Sequence, residues 1–310
     1  MNKTEQVMSF VLPTYNHSLA HLDTKRHALW HYLNPTPRPI ITHVVLTEIL
    51  DLQERVRQHL LTPCEGALDI QYMVLASAIP EVFCLGGDLQ LFSALIRARN
   101  RNGLIAYGRA CIDSVYNCAT HLGNPDLTTI ALVQGSALGG GFEAVLANNV
   151  LVAERSALFG LPEILFNLFP GMGAYSLLAR RLGMARAERF LSSGRQYSAA
   201  EMYEMGIVDV LAENGKGVLA VNAYIRKHSR ARNGLLAIQR VRDRLAPINY
   251  QELDDVMMIW VETAMTIDER DLRTMERLVS AQRRLSRRLD QVVMIPREVD
   301  SYISYSSAAL

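Results

Sequence analysis

Cysteine, excess charge of one sign and long apolar runs are all scarce in this chain. Four cysteines occur among 310 residues, Cys64, Cys84, Cys111 and Cys118, and no two form a CxxC pair. The eight histidines are scattered and include no HExxH. Disulfide and metal frameworks are therefore not expected, and the thiols should simply pack in a reduced, cytoplasmic protein. A formal net charge of +1 gives no global attraction to nucleic acid. No uncharged apolar run reaches the ~18 residues of a membrane span without glycine or polar interruption. The opening stretch MNKTEQVMSFVLPTYN lacks the apolar core of a secretory signal. What is present, 49% hydrophobic and 20% charged residues, is the composition of a globular chain with a substantial core. Its length allows one large domain or two ordinary ones.

Charge is scarcest where it is most informative. From Leu127 to Ala153 the only charged side chain is Glu143, and from Ser156 to Ala179 the only one is Glu163. Apolar residues flank both: Phe142, Ala144 and Val145 beside the first, Leu161, Ile164 and Leu165 beside the second. An ionised carboxylate in such surroundings is costly unless paired, so both pKa values should rise towards neutrality. Two lone acids of this kind, one just after a glycine cluster, point to acid/base chemistry.

Patterning places these acids in an α/β chain. Ser18 to Leu33 alternates around Thr24-Lys25-Arg26 and predicts a β-hairpin. The prolines between Asn34 and Pro39 then stop regular structure. Ile41 to Leu61 has amphipathic helical spacing, and Ile70 to Ala76 is an apolar run of strand length. Asp88 is placed to cap a helix through Leu89, Phe92 and Leu95, and a second helix is predicted over Leu104 to His121. Thr128 to Val133 and Val150 to Ala153 read as strands separated by a turn and helix from Gly139 to Asn148, an order that implies parallel pairing. Further helices are predicted over Ala174 to Leu182 and Ala185 to Leu191, and a capping box, Ser198 to Glu201, opens another. Beyond Gly215 almost everything reads as helix. The one proposed boundary therefore divides residues 1–214 from a helical part, 215–310. Arginine clusters at Arg226–Arg232, Arg240–Arg244 and Arg283–Arg288 read as solvated faces, the alternative being a basic surface for phosphate or an acidic partner.

The glycine cluster has two misleading matches. Gly139 to Ala144 fits GxGxxA with Glu163 about 20 residues on, but the glycines come too late after the strand for a dinucleotide site. Gly135 to Gly139 is not GxSxG, because serine directly follows the first glycine. A better use is electrophilic. One N–H from this turn and one from the Leu85-Gly86-Gly87 turn could polarise a substrate carbonyl. The glycines would serve equally well if they only permitted tight turns and close packing.

Taken together, Phe83-Cys-Leu-Gly-Gly-Asp88, Gly135-Ser-Ala-Leu-Gly-Gly-Gly-Phe-Glu143, Gly160-Leu-Pro-Glu163 and Pro170-Gly-Met-Gly173 resemble the enoyl-CoA hydratase (crotonase) superfamily. Ala131 to Gly135, Leu161 to Phe166, Leu168 to Ser176 and Leu272 to Met275 look most like its diffusible signal factor synthases. The resemblance implies a crotonase-like spiral of ββα units, with C-terminal helices that complete the fold and build trimers or dimers of trimers. It matches Glu143 and Glu163 to the acid/base pair, and Leu85 and Gly140 to the two backbone donors of the oxyanion hole. Leu85 departs from the alanine usual in hydratases, and the N-terminal hairpin departs from their short opening strand.

The activity implied is dehydration of a 3-hydroxyacyl thioester followed by hydrolysis, releasing a cis-2-unsaturated fatty acid. The substrate would ride on acyl carrier protein phosphopantetheine or CoA, with no other cofactor and no metal. Glu163 is expected to take the α-proton and Glu143 to handle hydroxyl or water. Leu138, Met172, Trp260 and Leu278 are the expected acyl-pocket residues, against the commoner alternative of ordinary core. Two other functions remain open: a degradative enoyl-CoA hydratase, and a regulatory partner of a signalling receptor or sensor kinase. Neither nucleic acid nor membrane is expected as a partner.

Overall fold

The computed structural model describes residues 10–62 and 67–292. Met1 to Ser9, Cys64 and the residues beyond 292 lie outside it, as do the side chains of Arg287 and Arg288. The hairpin predicted from alternation is present as β1 (Ser18–Asp23) and β2 (Ala28–Leu33), paired antiparallel. Asp23 closes its turn, accepting from the Arg26 backbone N–H at 3.1 Å and from its guanidinium at 2.7 Å. The helix α1 (His43–Leu61) follows the proline segment, and Thr42 caps it by accepting from Val45 N–H at 3.3 Å.

One path then repeats three times. β3 (Tyr72–Ser77) runs into β4 (Val82–Cys84) and the helices α2 (Leu89–Arg97) and α3 (Arg101–Ala119). β5 (Thr128–Val133) runs into β6 (Ser136–Leu138) and α4 (Gly140–Leu146). β7 (Val150–Glu154) runs into β8 (Leu158–Gly160), a 3-10 turn (Pro162–Phe166), α5 (Ala174–Leu182) and α6 (Met184–Ser193). After β9 (Gln196–Ser198) and α7 (Ala199–Glu204), β10 (Val210–Ala212) is the last strand among the described residues. First strands of each unit lie in a six-stranded sheet ordered β1-β2-β3-β5-β7-β10, and second strands in a four-stranded sheet ordered β4-β6-β8-β9. The units are joined by parallel pairing within both sheets, so the chain winds as a spiral of ββα units.

The central strands are legible in the sequence because they are buried on both faces. Every residue of β5 and β7 is buried, and such strands read as nearly unbroken apolar runs. The second sheet leaves no comparable signal, since its strands have three residues each and carry no readable period. Two predicted caps are present. Asp88 accepts from Leu91 N–H at 3.3 Å at the start of α2, and Ser198 and Glu201 form a reciprocal capping box on α7.

Among the described residues four helices follow: α8 (Gly217–Arg230), α9 (Arg232–Leu245), α10 (Tyr250–Met265) and α11 (Glu269–Val292). The first seals the large sheet, packing Val221 and Ile225 in one cluster with Trp30, Val74, Ile130 and Val152. α10 lies along α3, where the Tyr250 hydroxyl donates to Asp113 at 2.7 Å. α11 returns over α2 with Leu272, Met275 and Val279 buried beneath it. Arg97 reaches Glu269 and Glu276 on that helix at 2.7 and 2.6 Å, but exposed ion pairs contribute little beside such burial. Arg226, Arg230, Arg240 and Arg244 are exposed. Among the described residues no helix is long and apolar enough to cross a membrane.

Candidate active site

Because β4 and β6 are parallel neighbours, the turns that leave their C-terminal ends emerge side by side. A methyl group on Gly86 would lie 3.1 Å from Leu138 O and 3.4 Å from Gly140 N, and one on Gly140 would lie 3.4 Å from Gly87 N. Two amides, those of Gly87 and Gly140, are thus adjacent. Gly140 is the first residue of α4, where an N–H has no intrahelical acceptor. Among the described residues Gly87 N–H also has no backbone acceptor.

Leu85 is not the donor that the sequence predicts. Its N–H donates to Pro39 O at 2.8 Å, and its side chain packs with Ile40 and Val82. The free amide of this turn belongs to Gly87, two residues on. The doublet Gly86-Gly87 is the available signal, but sequence does not show which amide the Pro39 segment occupies.

Glu143 stands in the first turn of α4, buried with 3% of its surface exposed. Its Oε1 accepts from Met172 N–H at 2.8 Å and from Ala174 N–H at 3.1 Å, both supplied by the segment leaving Pro170. Glu163 arrives on the 3-10 turn that Pro162 opens. The residue is half-buried, yet its carboxylate end is enclosed, with Oε2 buried and without a hydrogen-bond partner. Gly139, at φ +51°, makes the approach possible, because a methyl there would lie 2.8 Å from Glu163 Oε1. A methyl on Gly140 would lie 3.9 Å from Glu143 Oε2. Two consecutive glycines therefore each face a different carboxylate.

Electrostatics distinguish the pair. Burial pushes Glu143 up to about 7 against the opposing pull of its two N–H donors. Burial pushes Glu163 up to about 8, with the charge of Glu143 adding to the shift. Between those values the two groups hold one proton between them. The rise predicted from apolar flanking sequence is present at both.

Two chambers meet at this junction. An inner cavity of about 70 Å³ is lined by Phe92, Tyr107, Cys111, Met172 and Trp260 together with both carboxylates. An outer one of about 230 Å³ is lined by Leu85, Leu138, Leu278, Ala281 and Gln282. Gly87, Leu89, Glu163 and Phe166 border both. The four predicted pocket residues are accordingly divided, Met172 and Trp260 inside, Leu138 and Leu278 outside. Trp260 is also a buttress: a methyl on Gly171 would lie 2.4 Å from its Cβ, and it meets Phe92 edge-on at 5.3 Å. Tyr107 and Cys111 join the site without having been expected there. Their i, i+4 spacing on α3 is a signal, but the same spacing marks ordinary core. Burial, and then the charge of Glu143, raise the Cys111 thiol, so it is no ready nucleophile.

A larger cavity than either, about 410 Å³, lies elsewhere, between α5 and the α9–α10 connection. Its cations are already engaged: Arg180 with Glu252 at 2.7 Å and Pro247 O at 2.6 Å, Arg181 with Asn148 O at 2.6 Å. Glu143 and Glu163 are not part of it.

Known proteins share this architecture. The enoyl-CoA hydratase/isomerase family profile matches residues 56–240. The mitochondrial enoyl-CoA hydratase domain-containing protein 2 of Mus musculus is 29% identical over 184 residues, 59% of this chain and 57% of that protein. Mitochondrial methylglutaconyl-CoA hydratase of Mus musculus is 34% identical over 149 residues, 48% of this chain and 45% of that protein. The chain thus spans about half the length of these curated relatives. The crystal structure of enoyl-CoA hydratase from Bacillus halodurans matches with a TM-score of 0.70, covering 86% of this chain and 100% of that one at 20% identity, a likeness of fold.

Proposed function

Since the chain belongs to the enoyl-CoA hydratase/isomerase family, we propose that Glu143 and Glu163 move water across the C2–C3 bond of an acyl thioester. The observation that carries this reading is their convergence on the place where the Gly87 and Gly140 amides are free. A thioester oxygen accepting both N–H groups would be stabilised as charge develops on it, and one such donor is typically worth about 10²–10³ in rate.

The hydrogen-bond partners of the two carboxylates support one division of roles. Glu143 has two N–H donors that favour its ionised form, whereas the enclosed Oε2 of Glu163 has none. The favoured arrangement is ionised Glu143 beside protonated Glu163. In hydration, Glu143 takes a proton from water as its oxygen adds at C3, and Glu163 gives its proton to C2. Elimination reverses each transfer: Glu163 takes the α-proton and Glu143 protonates the departing hydroxyl. That direction requires the proton to start on Glu143, which costs about 1.4 kcal/mol for a tenfold difference in proton affinity.

The finer reading is a diffusible signal factor synthase. It dehydrates a 3-hydroxyacyl group on acyl carrier protein, and water then hydrolyses the thioester to release a cis-2-unsaturated fatty acid and the free carrier thiol. Similarity to such synthases over Leu161 to Phe166, Leu168 to Ser176 and Leu272 to Met275 supports it. In this scheme the acyl group occupies the inner chamber and the phosphopantetheine arm the outer one, in a cytoplasmic trimer or dimer of trimers.

A second reading, a degradative hydratase that keeps its thioester, is favoured by the resting proton on Glu163 and by the names of the relatives. Purified protein incubated with 3-hydroxyacyl carrier protein and followed by mass spectrometry separates the two. Free 2-unsaturated acid supports the synthase. Hydrated and dehydrated thioesters without acid support the hydratase. A regulatory role alone would require both Glu→Gln variants to match the parent in every turnover assay.

A further inference from the structure

Two consecutive glycines make a poor platform for a catalytic amide, because neither has a side chain to pin it. Gly86 and Gly87 nevertheless hold one amide beside that of Gly140, and a displacement of about 1 Å at such a site can cost about 10²-fold in rate. The restraint comes from residues far away in sequence. Leu85 N–H donates to Pro39 O and Ile41 N–H to Gly86 O, both at 2.8 Å, so residues 39–41 run beside the turn like an added strand. The buried Tyr107 hydroxyl donates to Ile41 O at 2.6 Å. A methyl on Gly87 would lie 3.3 Å from the same hydroxyl and 3.1 Å from the Phe92 ring, so the turn rests directly on both. On the other side, Arg38 reaches Asp88 Oδ2 at 3.3 Å, while Asp88 Oδ1 caps α2 by accepting from Leu91 N–H at 3.3 Å. A second guanidinium nitrogen of Arg38 is buried without a hydrogen-bond partner.

We propose that Tyr107 and Arg38 are positioning residues: with Pro39 to Ile41 they clamp the Gly86–Asp88 turn so that Gly87 N–H stays beside Gly140 N–H. Tyr107 bonds the outer segment through the hydroxyl on which the turn rests, and Arg38 fixes the residue after Gly87 through its carboxylate. Neither side chain donates to the substrate. Each acts through the amide it restrains. The catalytic half of the proposal rests on the thioester reading above, whereas the clamp itself is a property of the unliganded protein.

Two readouts test the halves separately. Hydrogen–deuterium exchange on the unliganded protein, followed over residues 84–91, reports the clamp. The absorbance of bound 4-(dimethylamino)cinnamoyl-CoA reports polarisation of the thioester carbonyl. Tyr107→Phe keeps the ring and loses the hydroxyl. It should speed exchange in that segment about 10-fold, reduce the red shift of the bound probe, and lower kcat about 10-fold with KM within two-fold. Arg38→Gln should act in the same direction and Arg38→Lys should restore part of the loss. Tyr250→Phe, which deletes a hydrogen bond to Asp113 elsewhere on α3, should leave exchange over 84–91 unchanged. Unchanged exchange in both Tyr107→Phe and Arg38→Gln overturns the clamp. Faster exchange with full red shift and full kcat overturns the positioning role. A parent protein that leaves the probe spectrum unmoved overturns the thioester reading, and the exchange measurement still decides the clamp.

Discussion

A carboxyl group enclosed by apolar atoms keeps its proton until the pH is high enough to offset lost hydration. Glu163 does so up to about 8 and Glu143 up to about 7. A reaction needing one ionised and one protonated partner should therefore show a bell-shaped profile of kcat/KM with limbs near those values. Glu143→Gln removes the neighbouring charge that helps to raise Glu163, so the remaining carboxyl should titrate lower. Turnover should fall by roughly 10²–10⁴ in either Gln variant. An activity profile flat from pH 6 to 9 would contradict this account.

The same raised pKa values predict a stability effect with a definite sign. A carboxyl whose folded pKa is raised binds its proton more tightly in the native state. Its ionisation cost is absent below the unfolded value near 4.3 and fully present above the folded value. Glu163→Gln should therefore melt at a higher temperature than the parent at pH 9, with the gap closing towards pH 4. Each tenfold gain in proton affinity on folding corresponds to roughly 1.4 kcal/mol. A variant destabilised equally at both pH values would show that Glu163 has a structural role instead.

At the scale of elements, the site depends on segments pressed together by particular residues. Gly139→Ala would set a methyl 2.8 Å from Glu163 Oε1 at a positive φ. Activity should fall at least about 10-fold while the circular dichroism spectrum stays that of the parent. Trp260 calls for a conservative substitution. It is 2% exposed, stacked on Gly171 and part of the main core, so truncation to alanine should cost about 3–5 kcal/mol. It would also loosen the segment that donates Met172 and Ala174 N–H to Glu143. Trp260→Phe keeps most of the packing and enlarges the inner chamber. Competition between acyl chains of different length should shift towards the longer, as read by product analysis. An unchanged product spectrum from a well-folded Trp260→Phe protein would remove this residue from the acyl pocket.

For the whole molecule, the spiral brings together turns about 50 residues apart in sequence, and the C-terminal helices close the chambers from outside. Leu278 and Gln282 of α11 complete the outer chamber, and Gln282 donates to Leu85 O at 3.0 Å. If the proposed assembly holds, light scattering on purified protein should return three or six times the 34.7 kDa chain mass. A monomer that still turns over substrate would remove assembly from the mechanism.

What the sequence determined by itself was local. The hairpin, the buried strands, the caps at Asp88 and Ser198, and the isolation of Glu143 and Glu163 all follow from residues a few positions apart. Period, capping and flanking hydrophobicity act over that range. Tertiary structure decided the matters that depend on distant partners. Pro39 occupies the Leu85 amide and leaves Gly87 free. Met172 and Ala174 N–H groups pull the Glu143 pKa down against burial, and the parallel pairing of β4 with β6 sets both glycine turns side by side. An amide's availability and a carboxyl's pKa are properties of whatever surrounds them, and here those surroundings come from other turns of the spiral.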